Sequence, residues 1–210
     1  MSATRLDSDQ ALGSFADLVA AGTPAPGGGS VAAYCGMMAA ALGRMVCNLT
    51  IGKPKFADRE PRLKEVLDEL EGLGGRLREL IAEDAASFEA VLAAYRLPKE
   101  TDEEKTARAD SIQAAIGVAV DVPLETAVRS FEVLKLLREI ADIGNPNAIS
   151  DVAVGSQLAE VAIKGAGYNV TANLGTMSDA DKASAADDRM KVLVADAHAL
   201  AAEVESKAAE

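Results

Sequence analysis

A proline- and glycine-rich stretch leads directly into a long apolar segment, and this junction constrains the fold more than any other feature. Residues 24–30 read Pro-Ala-Pro-Gly-Gly-Gly-Ser, and residues 31–42 are almost entirely apolar. Glycine tolerates positive φ and Ser30 suits a helix N-cap, so we expect a helix over about 30–50. This helix is apolar nearly all round, which predicts a central position. Its small residues would let other helices pack closely: Ala32, Gly36, Ala39, Ala40 and Gly43.

The rest of the chain has the composition and periodicity of packed helices. Hydrophobic residues make up 49% of the chain but aromatic residues only 3%, and tryptophan is absent. Apolar residues recur at helical spacing, and no segment alternates with the period of a β-strand. We predict helices over about 7–21, 59–95, 101–120, 148–177 and 180–208, with helical periodicity resuming after a kink or break at Val122–Pro123. The expected fold is an all-α antiparallel bundle of six to nine helices, formed by residues 1–210 as a single domain.

Net charge and cysteine content limit the binding partners and the cellular compartment that we expect for this protein. The formal net charge of −12 argues against nucleic acid or an anionic membrane as the main partner. The N-terminus lacks an apolar signal core, and we expect no apolar run long enough to span a bilayer. Cys35 and Cys47 lie about 18 Å apart on the predicted helix, too far for a disulfide. We therefore expect reduced cysteines, a cytoplasmic protein and no membrane partner.

The glycine-rich loop is a candidate ligand site. Backbone amides at a helix N-terminus bind carbonyl, carboxylate or phosphate oxygens. Alternatively, the glycines only form a tight turn and allow close helix packing, and the segment alone favours neither interpretation. The residues concerned are Pro26, Gly27, Gly28, Gly29 and Ser30.

Polar residues also fall on or beside apolar helix faces. Asp84 lies at the edge of the face that carries Ile81 and Phe88, where a carboxylate is costly unless it is paired or used in chemistry. For a lone aspartate, an exposed helix acid is the commoner explanation. Asn169 and Asn173 are spaced i, i+4 among apolar neighbours, so they share a face toward a ligand or a partner helix.

A second polar cluster follows the turn at 144–147. It comprises Asn145, Asn147, Ser150 and Asp151, and helix capping by Asn147 or Ser150 explains only part of it. Lys53 and Lys55 are either surface lysines or a cation pair for a ligand carboxylate. His198 is the only histidine, so a histidine base, a catalytic triad and a histidine metal site are all disfavoured. We expect no metal.

The spacing of two candidates raises a geometric question. Asp151 and Asn169 are 18 residues apart, or about 27 Å along a continuous helix. One small pocket cannot use both ends of such a helix. Either the helix breaks at Gly165–Gly167, or the ends serve different pockets, or a two-fold dimer brings together the ends of different subunits. We favour the dimer.

Seven segments of the chain together resemble a known enzyme family. The chain is similar to the C-terminal domain family of formiminotransferase-cyclodeaminase, which includes stand-alone bacterial methenyltetrahydrofolate cyclohydrolases. The resemblance keeps its order over about residues 10–180. Segments 47–53 and 97–105 are more similar to the cyclohydrolase members, and no formiminotransferase domain is present in this sequence, which weakens the cyclodeaminase expectation. The matching segments are 23–30, 45–53, 83–88, 97–105, 122–124, 144–151 and 169–174.

This resemblance implies an all-helical homodimer, with a pocket near the subunit interface, that acts on folates in one-carbon metabolism. The expected reaction is hydrolysis of 5,10-methenyltetrahydrofolate to 10-formyltetrahydrofolate without a cofactor. The alternatives are formiminotetrahydrofolate cyclodeamination and a non-catalytic folate-binding or scaffold role. Asp84 and Asp151 are then the candidate acid–base residues, while Lys53 and Lys55 suit the glutamate tail. The remaining candidates would bind substrate or water: Pro26, Gly27, Gly28, Gly29, Ser30, Asn145, Asn147, Ser150, Asn169 and Asn173.

Overall fold

The computed structural model describes residues 12–209, and in that range it contains six α-helices and no β-strand. The helices are α1 (Leu12–Ala20), α2 (Gly28–Asn48), α3 (Glu60–Tyr95), α4 (Asp102–Ile143), α5 (Ile149–Leu174) and α6 (Ala180–Ala208). Two 3₁₀ turns, Pro54–Phe56 and Pro146–Ala148, lie in the α2–α3 and α4–α5 connections. The predicted all-α class is confirmed, and the predicted helical residues 7–11 lie outside the described residues.

Helix α2 lies at the centre, as predicted, and packs against α3, α4 and α5, while α6 packs against α4 and α5. α2 and α3 run antiparallel, because Gly29 lies beside Asp84 whereas Gly43 lies beside Leu70. A Cβ built on Gly43 would lie 2.8 Å from Leu70 Cδ1, closer than real contacts allow. The small residues of α2 therefore permit the close packing that the sequence predicts.

Helix α5 is continuous and runs antiparallel to α2. A Cβ on Gly165 would lie 3.3 Å from Ala32 Cβ, and a Cβ on Gly155 would lie 3.5 Å from Leu42 Cβ. These contacts bring the backbones of the two helices close together along much of their length. Gly165 and Gly167 do not interrupt α5, so the first explanation of the Asp151–Asn169 spacing, a helix break, is wrong.

Helix α4 passes through Pro123 without ending, so of the predicted kink or break at Val122–Pro123 the break is wrong. Proline has no amide N–H, and this leaves the carbonyl of Ala119, four residues earlier, without its usual helical donor. Asn173 Nδ2 of α5 donates to the Ala119 carbonyl oxygen at 2.8 Å. A side chain of a neighbouring helix thus replaces the missing intrahelical bond. At its start, α4 has the predicted capping box, formed by Thr101 and Glu104.

Two helices, α2 and a window of α4, are long and apolar enough to cross a membrane when judged by length and composition alone. The prediction that no run reaches that length is therefore wrong. Of the two apolar windows, 50% and 44% of the residues are buried inside the bundle, and a core helix passes the same test. Cys47 is buried, Cys35 is half-buried, and both are free thiols, as predicted.

Candidate active site

A pocket of about 200 Å³ opens where the glycine-rich loop and the start of α2 meet three long helices. It lies at the N-terminus of α2, and α3, α4 and α5 form its other walls. Three classes of predicted residue meet here: loop glycines, a carboxylate, and the two asparagines of α5. The lining residues are Pro24, Ala25, Gly27, Gly28, Gly29, Asp84, Ser87, Phe88, Ala119, Asn169, Ala172 and Asn173. Pro26 is buried in the loop, after a cis peptide bond from Ala25.

Asp84 of α3 is held against the N-terminus of α2. The Ser30 hydroxyl donates a 2.8 Å hydrogen bond to Asp84 Oδ2, and the Ser30 backbone N–H also donates to this carboxylate. α2 begins at Gly28 after Gly27, without a side-chain cap, so the predicted capping role of Ser30 is wrong. The sequence suggested that the backbone amides at this helix N-terminus bind a ligand oxygen. One of them, the Ser30 N–H, instead binds the carboxylate of Asp84 from α3.

The glycines at this junction do not adopt positive φ; Gly29 instead allows the Asp84 side chain to lie close to the α2 backbone. Among residues 12–209, only Gly22 and Gly52 have positive φ, so the expectation of positive φ in the 27–29 stretch is wrong. A Cβ on Gly29 would lie 2.6 Å from Asp84 Cγ and would overlap the carboxylate. Glycine at position 29 is therefore what lets Asp84 reach the α2 amide.

Burial raises the pKa of the Asp84 carboxyl above its ordinary value, and the two hydrogen bonds from Ser30 oppose this shift. The group is thus a largely desolvated carboxylate with directed donors on one side. A carboxyl whose pKa is raised accepts a proton near neutral pH more readily than an ordinary aspartate. Asp84 has the environment of a general base.

Asn169 and Asn173 line the pocket from the C-terminal part of α5. Asn169 Nδ2 donates to the Gly165 carbonyl at 2.8 Å. Asn173 Nδ2 donates to the carbonyls of Ala119 at 2.8 Å and Asn169 at 3.1 Å. Within the described residues, neither side-chain oxygen receives a hydrogen bond. Both side chains are therefore anchored as donors and keep their oxygens as acceptors.

The second predicted cluster lies at the opposite end of α2 and α5. The Asn145 side chain caps the 3₁₀ turn by accepting from the Asn147 N–H at 3.2 Å. α5 starts after Ala148 without a side-chain cap, so the predicted capping by Asn147 or Ser150 is wrong. Ser150 is exposed and Asp151 is half-buried.

Lys53 and Lys55 lie beside this cluster. Both are exposed, and Lys55 Nζ lies 5.5 Å from the centroid of the Phe56 ring. The Asn145 N–H donates to Thr50 Oγ1 at 3.0 Å, which ties the turn before α5 to the end of α2. The lysines and the 145–151 turn therefore share one end of the bundle.

The structure does not bring the two clusters together within one subunit. α2 contains 21 residues and α5 contains 26, so their ends are about 30 and 40 Å apart. Asp84 lies at one end of these helices and Asp151 at the other. A single pocket of one subunit cannot contain both candidate acid–base residues.

Six residues that line the pocket were not among the predicted site residues: Pro24, Ala25, Ser87, Phe88, Ala119 and Ala172. Phe88 gave a usable signal, because it lies one turn beyond Asp84 on the same helix face. Its side chain is 41% exposed, which is unusual for phenylalanine. An exposed aromatic residue next to a half-buried carboxylate indicates a ligand surface.

Elsewhere in the described residues, we find neither a comparable pocket in the large charged groove nor a metal-binding cluster. A groove of about 740 Å³ between α3 and α4 is lined largely by arginine and glutamate side chains. Most of these charges pair with one another, as Arg62 does with Glu139 and Arg129 with Glu132. No group of three or more histidine, cysteine, aspartate or glutamate side chains in residues 12–209 is placed to hold a metal ion.

Comparisons with known proteins identify the family and agree with the all-helical fold. A model of the formiminotransferase-cyclodeaminase family matches residues 11–192. A methenyltetrahydrofolate cyclohydrolase of Methylorubrum extorquens is 44% identical over 192 residues, which cover 91% of this chain and 92% of the relative. The formimidoyltransferase-cyclodeaminase of Mus musculus is 36% identical over 171 residues, which cover 81% of this chain and 32% of the mouse protein. A solved structure, formiminotetrahydrofolate cyclodeaminase from Thermotoga maritima, has a TM-score of 0.85 and 28% identity, with 95% and 96% of the two chains covered.

The fold and the matches define an all-helical protein of the folate one-carbon class. The chain belongs to the formiminotransferase-cyclodeaminase family, as the resemblance predicted. It spans about a third of the length of the mouse relative and nearly all of the bacterial cyclohydrolase.

Proposed function

We propose that this chain hydrolyses 5,10-methenyltetrahydrofolate to 10-formyltetrahydrofolate. The similarity to the cyclohydrolase of Methylorubrum extorquens supports this reaction over most of the chain. The observation that carries the chemistry is Asp84, a desolvated carboxylate held by Ser30 at the wall of the pocket. A negative charge there favours the delocalised amidinium cation of the substrate.

In the proposed mechanism, Asp84 is the general base. It takes a proton from water as the water oxygen bonds to the bridging carbon between N5 and N10, which gives a neutral tetrahedral carbinolamine. The protonated Asp84 then returns that proton to N5 as the C–N5 bond breaks. The carbinolamine hydroxyl loses its proton to solvent, and the formyl group remains on N10. These steps need neither a metal nor a redox cofactor, and we propose that none takes part.

Cyclodeamination is the second candidate, and the structural likeness to the Thermotoga maritima enzyme favours it. In that reaction a formimino group closes onto the second nitrogen and ammonia leaves, which also requires an acid and a base. The same pocket serves either reaction. A non-catalytic folate-binding role is the third candidate.

Two parallel assays on the purified protein separate these functions: the loss of methenyltetrahydrofolate absorbance, and ammonia release from formiminotetrahydrofolate. Hydrolysis well above the uncatalysed rate without ammonia supports our proposal. Ammonia release reassigns the chain to cyclodeamination, and silence in both assays favours the binding role. Asp84→Asn should abolish turnover, whereas Asp68→Asn, an exposed aspartate on the same helix, should leave it unchanged.

We also propose that the protein is a homodimer, because α2 and α5 expose one continuous apolar face. Half-buried or exposed apolar residues recur at helical spacing on both helices, and Gly155 of α5 adjoins Leu42 of α2. Tyr168 is 77% exposed and Val161 53%. An apolar face of this kind marks a protein interface. Its residues are Met38, Leu42, Met45, Leu49, Val154, Leu158, Val161 and Tyr168.

A two-fold axis across the middle of this face would complete the site. It would run α2 antiparallel to its copy, so that the Gly28 end meets the other end of the partner's α2. The partner's Asp151 would then join Asp84 as the second acid–base residue. The partner's Lys53 and the partner's Lys55 would bind the glutamate tail of the substrate. This arrangement explains why candidate residues occupy both ends of the bundle.

Light scattering of purified variants tests the dimer. Val161→Glu places a charge in the face and should give an inactive monomer, whereas Val192→Glu, on α6 and 60% exposed, should remain dimeric and active. Asp151→Asn should lose most activity with its helical CD signal intact. Mixing Asp84→Asn and Asp151→Asn subunits should restore activity, since one site of the mixed dimer carries neither change. A fully active wild-type monomer would contradict the shared site.

For the compartment, we propose the cytoplasm. Both thiols are free, and burial raises the pKa of Cys47 to about 11, which keeps that sulfur protonated and unreactive. Such cysteines suit a reducing environment.

A further inference from the structure

Pro123 breaks the usual hydrogen-bond pattern of α4 beside the pocket wall. Ala119, which lines the pocket, is the residue whose carbonyl would accept the missing amide proton. That carbonyl receives Asn173 Nδ2 at 2.8 Å instead. Both Ala119 and Pro123 are buried, so water does not readily replace Asn173 as the donor.

This hydrogen bond fixes the orientation of the Asn173 side-chain amide, with Nδ2 toward α4. An asparagine side chain has one donor group and one acceptor oxygen. The Asn173 donor is taken by the carbonyls of Ala119 and Asn169. The Asn173 oxygen is therefore the end left for a ligand. Had residue 123 carried an amide N–H, the helix itself would satisfy Ala119, and the Asn173 side chain would lose its main anchor.

We propose that Pro123 is a positioning residue for substrate recognition. It frees the Ala119 carbonyl, which anchors Asn173 as an obligate hydrogen-bond acceptor in the pocket. The matching group on the ligand is an N–H donor, and the amide and amino edge of a pterin supplies one. This last identification rests on the proposed folate function, while the Pro123–Ala119–Asn173 linkage does not.

The kinetics of Pro123→Ala test whether Pro123 contributes to substrate recognition. The variant should lose about tenfold in kcat/KM, the worth of one well-formed hydrogen bond, and the loss should appear mainly as a raised KM. Asn173→Ala should show a similar loss, and the double variant should lose no more than Asn173→Ala alone. Pro61→Ala, at the first turn of α3, is the matched control and should keep wild-type kinetics. Wild-type kcat/KM in Pro123→Ala, or a full additive loss in the double variant, would overturn the proposal.

Denaturation midpoints of the wild type, Pro123→Ala, Asn173→Ala and the double variant test the linkage without any substrate. Asn173→Ala should lower the midpoint in the Pro123 protein, where it orphans the Ala119 carbonyl. In the Pro123→Ala background the helix supplies the donor, so the same change should lower the midpoint much less. Equal shifts in both backgrounds would overturn the linkage. If wild type hydrolyses no methenyltetrahydrofolate but the midpoints still couple, the proposed function fails while the linkage stands.

Discussion

Replacing Gly29 with alanine should separate catalysis from stability. The added Cβ would overlap Asp84 Oδ1, its nearest atom, and would lie 2.6 Å from Asp84 Cγ, so the carboxylate has to move by more than about 1 Å to reach ordinary contact. Because the atoms it meets belong to the carboxylate that we propose as the general base, this movement should weaken the hydrogen bonds from Ser30 and misplace that base. A misplacement of this size costs on the order of 100-fold in turnover.

The stability cost of the same change is smaller. Losing a hydrogen bond to a charged group costs about 1.5–3 kcal/mol, while alanine in a helix is better than glycine by about 0.5–1 kcal/mol. The free energy of unfolding should therefore fall by only about 1–2 kcal/mol. Urea denaturation followed by CD measures this term, and the absorbance assay measures kcat/KM.

Gly75→Ala is the matched control for this prediction. Gly75 is an exposed residue of α3, and a Cβ there meets no heavy atom within 4 Å. This variant should gain about 0.5–1 kcal/mol of stability at unchanged activity. If Gly29→Ala keeps near-wild-type kcat/KM, Asp84 does not act from the position described, and the reasoning fails.

Three further changes have defined outcomes. Ser30→Ala removes a hydrogen bond that lowers the pKa of Asp84, so the acidic limb of the kcat/KM profile should move to higher pH; an unmoved limb would separate Ser30 from the base. Ser130→Ala removes a fully buried hydroxyl with no hydrogen-bond partner among the described residues and should raise the free energy of unfolding by about 1 kcal/mol in urea denaturation. Thr101→Ala removes the capping box of α4 and should cost about 1 kcal/mol, with faster hydrogen exchange at the first turn and unchanged activity.

Helix class, the central position of α2 and the place of Asp84 at the edge of an apolar face were all predictable from sequence, because each depends on local periodicity. A carboxylate at the edge of an apolar face has to find a partner, and that partner is Ser30, 54 residues away. The reason for the glycines was not predictable. Their role depends on a carboxylate of another helix, and nothing in the loop itself distinguishes close approach from positive φ.

Pro123 is a second case in which a residue distant in sequence decides the outcome of a local pattern. Local rules predict that proline interrupts a helix, since it lacks a donor and crowds the preceding turn. Here an asparagine 50 residues later supplies the donor, so the helix continues. The Asp151–Asn169 spacing did predict correctly that one pocket of one subunit cannot use both residues, because helix rise is a fixed quantity.

The contact between Asp84 and α2 has a consequence for the catalytic cycle. The N-terminus of a helix carries a partial positive charge from its aligned peptide dipoles. Asp84 is the anion at that end of the central helix. In the proposed mechanism, each proton that Asp84 takes from water would remove the charge that the dipole favours, and the dipole would then favour release of that proton to the leaving nitrogen. The helix that organises the core would thus also reset the base after every turnover.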